Sequence, residues 1–221
     1  MFEHVNLCEF PEMEVTQGDS GRKYITPEGN AYPSITTVLK ILSEDSIKAW
    51  RKRIGEKEAD KISYKASSRG NKIHEMAEKY INNDPSWKEG VMPNHLFTFN
   101  DIKNILDKNI DHVLAQEVPL YSDKFKIAGR VDCIAKWNNR LSIIDFKTSS
   151  KPKKENWIKS YYLQCAFYSA ALFEMTGIIA SQGVIIICVD NSEPQVFCFD
   201  VYPLLPELMS VRKKYQEING V

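Results

Sequence analysis

The first half of the chain carries apolar residues at helical spacing. Ile35, Val38, Leu39 and Leu42 recur every three or four positions, and Ser34 before them is a typical helix N-cap residue. Similar spacing continues, with one break rich in Pro and Gly, as far as residue 112. The pattern predicts helices over residues 34–42, 46–54, 56–82 and 97–112, and a loop over 83–95. Residues 67–70 are a candidate break within the third helix.

The second half is patterned mainly as β-strands, with apolar residues that alternate or form short continuous runs. Helical spacing returns before Gly177, which is placed to end a helix. The pattern predicts strands over 115–121, 125–137, 140–148, 178–189 and 195–200, and helices over 155–175 and 204–217. Turn residues at 27–30 predict a small hairpin of 24–26 with 31–32. The expected fold class is α/β or α+β, with helices flanking one mixed central sheet.

Length and composition predict a single domain of 221 residues, of which 43% are hydrophobic and 26% charged. Its expected parts are an acidic lead-in with a hairpin (1–30), a helical segment (31–112), a sheet core (113–201) and a C-terminal helix (202–221). The longest apolar run, 183–189, has strand length, so no membrane association is expected. Five scattered cysteines and the lack of a secretory signal indicate reduced thiols and a cytosolic location, the host cytoplasm if the source is viral.

The charges are unevenly spread although the chain is neutral overall, with 29 basic and 29 acidic residues. Residues 47–72 carry nine bases against three acids and residues 121–160 carry ten against four, a local balance of +6 in each case. A neutral chain with two basic segments can still present a basic face to nucleic acid. The alternative is that these charges lie on solvated helix faces.

Chemistry is concentrated in the predicted hairpin of 125–137 with 140–148. If Asn138 and Asn139 form its two-residue turn, Asp132 faces Asp145 and Arg130 faces Lys147 across the strands. Strand alternation then places these four charged residues on one face and Val131, Cys133, Ile144 and Phe146 on an apolar face.

Two carboxylates that face each other across a strand pair repel, unless a cation compensates their charge. Oxygen ligands suit Mg²⁺ or Mn²⁺, and Lys147 beside them would stabilise charge or help to deprotonate water. The alternative is a solvated hairpin face with Asp, Lys and Arg pairing across the strands. The absence of a phosphate-binding Gly-rich loop with Lys-Ser/Thr indicates that no nucleotide cofactor binds.

The residues Gly129-Arg130-Val131-Asp132, followed by Ile144-Asp145-Phe146-Lys147, resemble the PD-(D/E)XK nuclease signature. The RecB-like exonuclease branch of this superfamily adds a Gln and a Tyr four apart on the next helix, matched by Gln164 and Tyr168. It also has an upstream helix with a histidine, matched by His74. The segment from Pro33 to Leu39 is similar to the mitochondrial genome maintenance exonuclease group.

The resemblance implies a restriction-endonuclease-like core and a metal site of His74, Asp132, Asp145 and the Phe146 carbonyl. It also implies that Lys147 is catalytic, and that DNA contacts come from a wider set: Gln164, Tyr168, Arg69, Arg130, Lys151, Lys153 and Lys154. Two acids are candidates for supporting the site, Glu78 one helical turn after His74 and Glu117 on the strand beside the hairpin. Each has an alternative as an ordinary solvated residue.

The function expected from the residues and the resemblance together is a metal-dependent DNA exonuclease. Its expected partner is DNA with a free end or a single strand, in replication, recombination or repair. Two alternatives remain open. One is a DNA-binding recombination or repair subunit with a degenerate nuclease fold. The other is a structure-specific endonuclease with the same residues.

Overall fold

The computed structural model describes residues 1–6, 8–18 and 21–220. Leu7, Asp19 and Ser20 of the predicted lead-in and Val221 of the C-terminal segment lie outside the described residues. The strands are β1 Glu3–His4, β2 Glu14–Gly18, β3 Gly21–Ile25, β4 Ala31–Pro33, β5 Ile110–Ser122, β6 Ile127–Trp137, β7 Arg140–Ser149, β8 Gln182–Val189 and β9 Gln195–Asp200. The helices are α1 Ile35–Leu39, α2 Glu44–Ile54, α3 Glu56–Ile81, α4 Pro93–Asn109, α5 Lys159–Thr176 and α6 Leu205–Asn219.

A six-stranded mixed sheet in the order β1-β5-β6-β7-β8-β9 forms the centre of the fold. β5, β6 and β7 are antiparallel neighbours, and β7 and β8 are parallel because α5 returns the chain between them. Helices flank this sheet, so the predicted fold class is confirmed. Among the described residues, every helix is too short or too polar to span a membrane, and all five cysteines are free thiols.

Both faces of the sheet are covered, which corrects the expectation of one apolar and one charged face. Val131 packs in the core formed with α1, α5 and α6, whereas Cys133, Ile144 and Phe146 pack in a second core under α3 and α4. Because helices lie on both faces, the middle of β7 is buried on both sides. Asp132 and Asp145 lie in the middle of β6 and β7, and Asp145 is therefore buried.

The predicted turn and register of the β6–β7 hairpin are confirmed near the turn. Asn138 and Asn139 adopt φ angles of 49° and 64°, the left-handed conformation that a two-residue hairpin turn requires. Paired residues run from Trp137–Arg140 as far as Cys133–Ile144 and stop there. The predicted pairs Asp132–Asp145 and Arg130–Lys147 are thus outside the ladder, because the two strands separate before they reach the acids.

Several element boundaries differ from the sequence prediction. α3 continues unbroken through Gly70, which faces Thr148 of β7 with room for a Cβ. β5 begins at Ile110, within the segment predicted as helix, and α5 begins at Lys159 after a short 3-10 turn at Glu155–Trp157. The lead-in contributes β1 to the main sheet and β2 to a three-stranded sheet with β3 and β4.

Gly129 is the point at which the N-terminal segment and α5 approach the site strand β6. An added Cβ there would lie 2.9 Å from the Tyr168 ring and hydroxyl, and 3.1 Å from Ile35. Ser34 begins α1 as predicted, since its hydroxyl accepts the Thr37 N–H at 3.0 Å. The glycine of the Gly-Arg-Val-Asp motif is therefore required by packing.

Gly129→Ala and Gly70→Ala should change stability in opposite directions. The first forces Tyr168 and Ile35 away from β6 and should lower the free energy of unfolding by about 1–3 kcal/mol. The second meets only Thr148, at 3.7 Å, in a helix interior, and should raise it by up to about 1 kcal/mol. Urea denaturation of both variants measures this. Equal stability of the two would contradict the packing assigned to Gly129.

Candidate metal centre and active site

Three residues from three elements converge in one cleft. His74 of α3, Glu117 of β5 and Asp132 of β6 each offer a ligand atom, and these atoms all lie within 4.8 Å of one another. One imidazole nitrogen and two carboxylates within this distance suit a divalent cation. The structure thus brings together two of the predicted metal ligands and adds Glu117, which sequence analysis placed only in a supporting role.

Glu117 reaches the cleft because the β5 backbone is distorted at that residue. The β5–β6 pairs on either side of it place Glu117 opposite Asp132, so the acids that face each other across strands are these two. Glu117 has φ of 49°, a left-handed conformation that a non-glycine residue adopts at an energetic cost. The Arg130 guanidinium donates a hydrogen bond to the Glu117 carbonyl and holds this conformation.

Asp132 occupies the gap where β6 and β7 separate. Its Oδ2 accepts the Phe146 N–H at 2.8 Å and lies 3.4 Å from Nδ1 of His74. The Asp132 carboxylate thereby links the two strands where their ladder has ended, and it remains beside the α3 histidine.

Asp145 and Lys147 form a buried ion pair next to this cluster. Lys147 Nζ lies 2.5 Å from Asp145 Oδ2, so the ammonium and the carboxylate are in direct contact. Asp145 is 1% exposed, so this contact is shielded from solvent. The Lys147 ammonium also lies 5.2 Å from the centre of the Tyr161 ring.

The density of carboxylates changes proton affinities in the cleft. Burial, and then the charges of Asp132 and Glu78, raise the pKa of Glu117 to about 7. Burial also raises the pKa of Asp145, although Lys147 partly offsets this. Burial alone would lower the pKa of Lys147, but the charges of Asp145 and Asp132 outweigh it and raise that pKa, so the ammonium stays protonated.

Gln164 and Tyr168 both lie at the cleft, one turn apart on α5. The Tyr168 hydroxyl donates to the Arg130 carbonyl at 2.7 Å, and Gln164 Nε2 lies 3.5 Å from that hydroxyl. Tyr168 is buried and fixes β6 at the residue before Val131, so it supports the site strand. Gln164 is also largely buried, and it lines the cleft.

The cleft has a volume of about 520 Å³. Glu78 lines it from α3, as expected for a residue one turn after His74. Sequence analysis missed a group of lining residues from the N-terminal segment and α3, because no local motif marks them: Arg22, Tyr24, Ser34, Thr36, Ser67, Asn71 and Glu75.

The other predicted DNA-binding cations do not line this cleft. Arg69 pairs with Asp190 at the end of β8, Lys154 lies over the Trp157 ring, and the Lys153 backbone bonds to the Gln195 side chain. Lys151 is exposed. Five of the nine bases in the segment 47–72 pair with acids, through Lys48–Glu44, Arg51–Glu56, Arg51–Asp60, Lys61–Glu58, Arg69–Asp190 and Lys72–Glu75.

A comparison with known protein families shows which superfamily the chain belongs to. Residues 45–196 match the family model described as the PD-(D/E)XK nuclease superfamily, and this range contains His74, Glu117, Asp132, Asp145 and Lys147. The chain belongs to the PD-(D/E)XK nuclease superfamily. The resemblance read from the sequence motifs is therefore confirmed at the level of the superfamily.

Individual relatives of this nuclease are more distant. Mitochondrial genome maintenance exonuclease 1 of Mus musculus is 27% identical over 146 residues, which cover 62% of this chain and 43% of that protein. Its Homo sapiens counterpart is 26% identical over 156 residues, which cover 65% of this chain and 44% of that protein. The match spans less than half the length of these curated relatives. A crystal structure from Eubacterium rectale, provisionally described as an exonuclease, has a TM-score of 0.42 at 13% identity, covering 66% of this chain and 68% of that chain.

The nuclease cleft fits a divalent cation on its own chemistry. The imidazole of His74 and the carboxylates of Glu117 and Asp132 are clustered there, and the buried Asp145 carboxylate beside them has the Lys147 ammonium in contact with one oxygen. Three acids in one cleft carry more negative charge than one ammonium balances, so a divalent cation would stabilise them. PD-(D/E)XK nucleases use divalent metal ions, and the donor set of this cleft agrees with that.

Glu117→Gln should alter how the stability of the metal-free nuclease depends on pH. Between the ordinary pKa of 4.5 and the folded-state pKa of about 7, folded Glu117 holds a proton that the unfolded chain has released. The free energy of unfolding of the wild type should therefore fall as the pH rises through this window, more steeply than that of Glu117→Gln. Above pH 7 the variant should be the more stable protein.

Thermal unfolding in EDTA across this pH range measures the difference. Glu207→Gln, which changes a partly exposed residue of α6 that pairs with Lys159, is the matched control. If wild type and Glu117→Gln have parallel pH profiles, Glu117 is not crowded by the other carboxylates.

Proposed function

We propose that this nuclease is a metal-dependent DNA exonuclease that hydrolyses phosphodiester bonds from a free end, with single-stranded DNA as its preferred substrate. We further propose a role in replication, recombination or repair. The observation that supports the chemistry is the convergence of His74, Glu117 and Asp132 beside the buried pair Asp145–Lys147. The names of the two relatives support the exonuclease assignment and DNA as the substrate.

The proposed ligands of the cation are His74, Glu117 and Asp132, with Asp145 and the Phe146 carbonyl at the same end of β7. A bound Mg²⁺ or Mn²⁺ ion supplies positive charge that stabilises the phosphoryl oxygens and favours deprotonation of water. The carboxylates hold the site and set its charge. Glu117, with a pKa of about 7, binds a cation best once it has lost its proton.

Lys147 has the proposed role of an electrostatic contact to the phosphate. Its ammonium is protonated at neutral pH because Asp145 and Asp132 raise its pKa. A lysine held in this state is a poor base, but it can donate a hydrogen bond to a phosphoryl oxygen that gains charge. Among the two roles considered from the sequence, this favours charge stabilisation over proton transfer.

Arg130, Tyr168 and Gln164 position the reacting strand and the site. Arg130 holds the Glu117 backbone, Tyr168 holds the Arg130 backbone, and the two contacts form a chain from α5 to the metal ligands. The Gln164 amide, at the wall of the cleft, is the group on α5 proposed to contact DNA.

The exonuclease proposal is tested with linear and closed circular single-stranded DNA in Mg²⁺. Release of mononucleotides from the linear strand alone supports the exonuclease. Cleavage of the circle supports a structure-specific endonuclease, and binding without cleavage in either Mg²⁺ or Mn²⁺ supports a non-catalytic subunit. Labels at the 5′ and 3′ ends, run in parallel, give the direction of digestion.

Asp132→Asn should lower nuclease activity by about a hundredfold or more, because it removes one charged ligand and weakens binding of the cation. The amide still accepts the Phe146 N–H, so the fold should remain and thermal stability in EDTA should not fall. Asp200→Asn, at an exposed ion pair with Arg140, is the control and should retain activity. Nuclease rates near wild type in Asp132→Asn would refute the metal assignment.

Lys147→Ala and Lys147→Arg separate the two roles of the lysine. The first should lower kcat by about a hundredfold to a thousandfold while Mn²⁺ binding, followed by electron paramagnetic resonance, persists. The second keeps the positive charge without acting as a base and should recover part of the loss. Equal loss in both variants would favour proton transfer, and loss of Mn²⁺ binding would show that Lys147 maintains the site instead.

A further inference from the structure

We propose that a second cleft, on the far side of α3 from the metal centre, binds the bases of the DNA strand whose phosphodiester bond lies at that centre; this rests on the proposed function. The outer cleft has a volume of about 680 Å³ and is larger than the catalytic one. Its walls come from α3, α4 and the turn after β8, represented by Tyr64, Lys65, Arg69, Phe97 and Asn191.

Two aromatic side chains stand exposed in the outer cleft. Tyr64 of α3 is 77% exposed and Phe97 of α4 is 72% exposed, so neither contributes to a core. They lie on different helices but line the same space, together with the exposed Met92. Exposed aromatic rings that face a shared cleft are suited to stacking on bases, since each base offers a flat π-surface.

A groove across the outer side of α3 connects the two clefts. It shares Asn71 and Glu75 with the catalytic cleft, and it shares Ser68, Met92 and His95 with the outer one. From His74 to Tyr64 the helix advances about 15 Å, which is the length of about four stacked nucleotides. A strand with its end at the metal centre can therefore reach the aromatic residues.

The charges of the outer cleft favour bases over phosphates. Lys65 and Arg69 are balanced by Asp101 and Asp190, and the Arg69 guanidinium is paired with Asp190. A lining with balanced charges attracts a phosphate only weakly, and it does not repel an uncharged base. Lys72, at the connecting groove, is paired with Glu75 and is likewise largely neutralised.

The outer cleft also has polar side chains in its lining. Asn94, Thr98 and Asn191 line it beside the two aromatic residues. Amide and hydroxyl groups are able to form hydrogen bonds with the edge of a base. The combination of stacking surface and polar lining distinguishes this cleft from a purely apolar groove.

The test compares the double variant Tyr64→Ala/Phe97→Ala with wild type and with Phe173→Ala, which removes an aromatic side chain, 54% exposed, on α5 outside both clefts. Binding of oligothymidylates, from a dinucleotide to about 12 nucleotides, is followed by fluorescence anisotropy with Ca²⁺ replacing Mg²⁺. The double variant should bind the long strands about five- to fiftyfold more weakly, yet bind the dinucleotide as wild type does. Phe173→Ala should match wild type at every length.

A second measurement reports on base stacking directly rather than on affinity. A 2-aminopurine base placed about three or four nucleotides from the strand end should be quenched on binding to wild type, and less quenched in the double variant. Equal affinities and equal quenching in wild type and double variant would overturn the base-binding assignment. Failure of the nuclease proposal is separate, because wild type would then cleave no strand of any length.

Discussion

The burial of several carboxylates close together constrains the architecture of this nuclease. Burial first, and then the charges of Asp132 and Glu78, raise the pKa of Glu117 to about 7, and Asp145 is buried beside them. Such a cluster is unfavourable in a protein interior unless cations are supplied nearby. Lys147 supplies one at β7, and the surrounding elements hold the acids in place against their repulsion.

Hydrogen bonds to backbone carbonyls, donated by side chains outside the cluster, hold these acids in place. Arg130 bonds to the carbonyl of Glu117, and Tyr168 bonds to the carbonyl of Arg130, so α5 fixes β6 and β6 fixes the distorted residue of β5. Gly129 permits this because only a residue without a side chain leaves room for the Tyr168 ring. An arrangement built in this way holds the proposed metal ligands together without a cation.

The position of α3 gives the site its asymmetry. One side of the helix presents His74 and Glu78 to the acids, and the other presents Tyr64 and Arg69 to the outer cleft. The helix packs against β7, and His74 lies beside Asp132. The same helix thus separates a highly charged space from a nearly neutral one, a division suited to a ligand with a charged backbone and flat, uncharged bases.

The sequence by itself determined the order of helices and strands after the lead-in, the Asn138-Asn139 turn and the superfamily, because these depend on local spacing and short motifs; it did not reveal β1 and β2. It also identified His74 and Asp132, which the fold brings together. Tertiary structure alone decided that Asp132 faces Glu117 rather than Asp145, since the hairpin ladder ends where the Asp132 side chain takes the Phe146 N–H. It likewise decided that Arg69 pairs with Asp190 and that Tyr64 and Phe97 line the same cleft. These contacts join residues far apart in the chain, and no local periodicity encodes them.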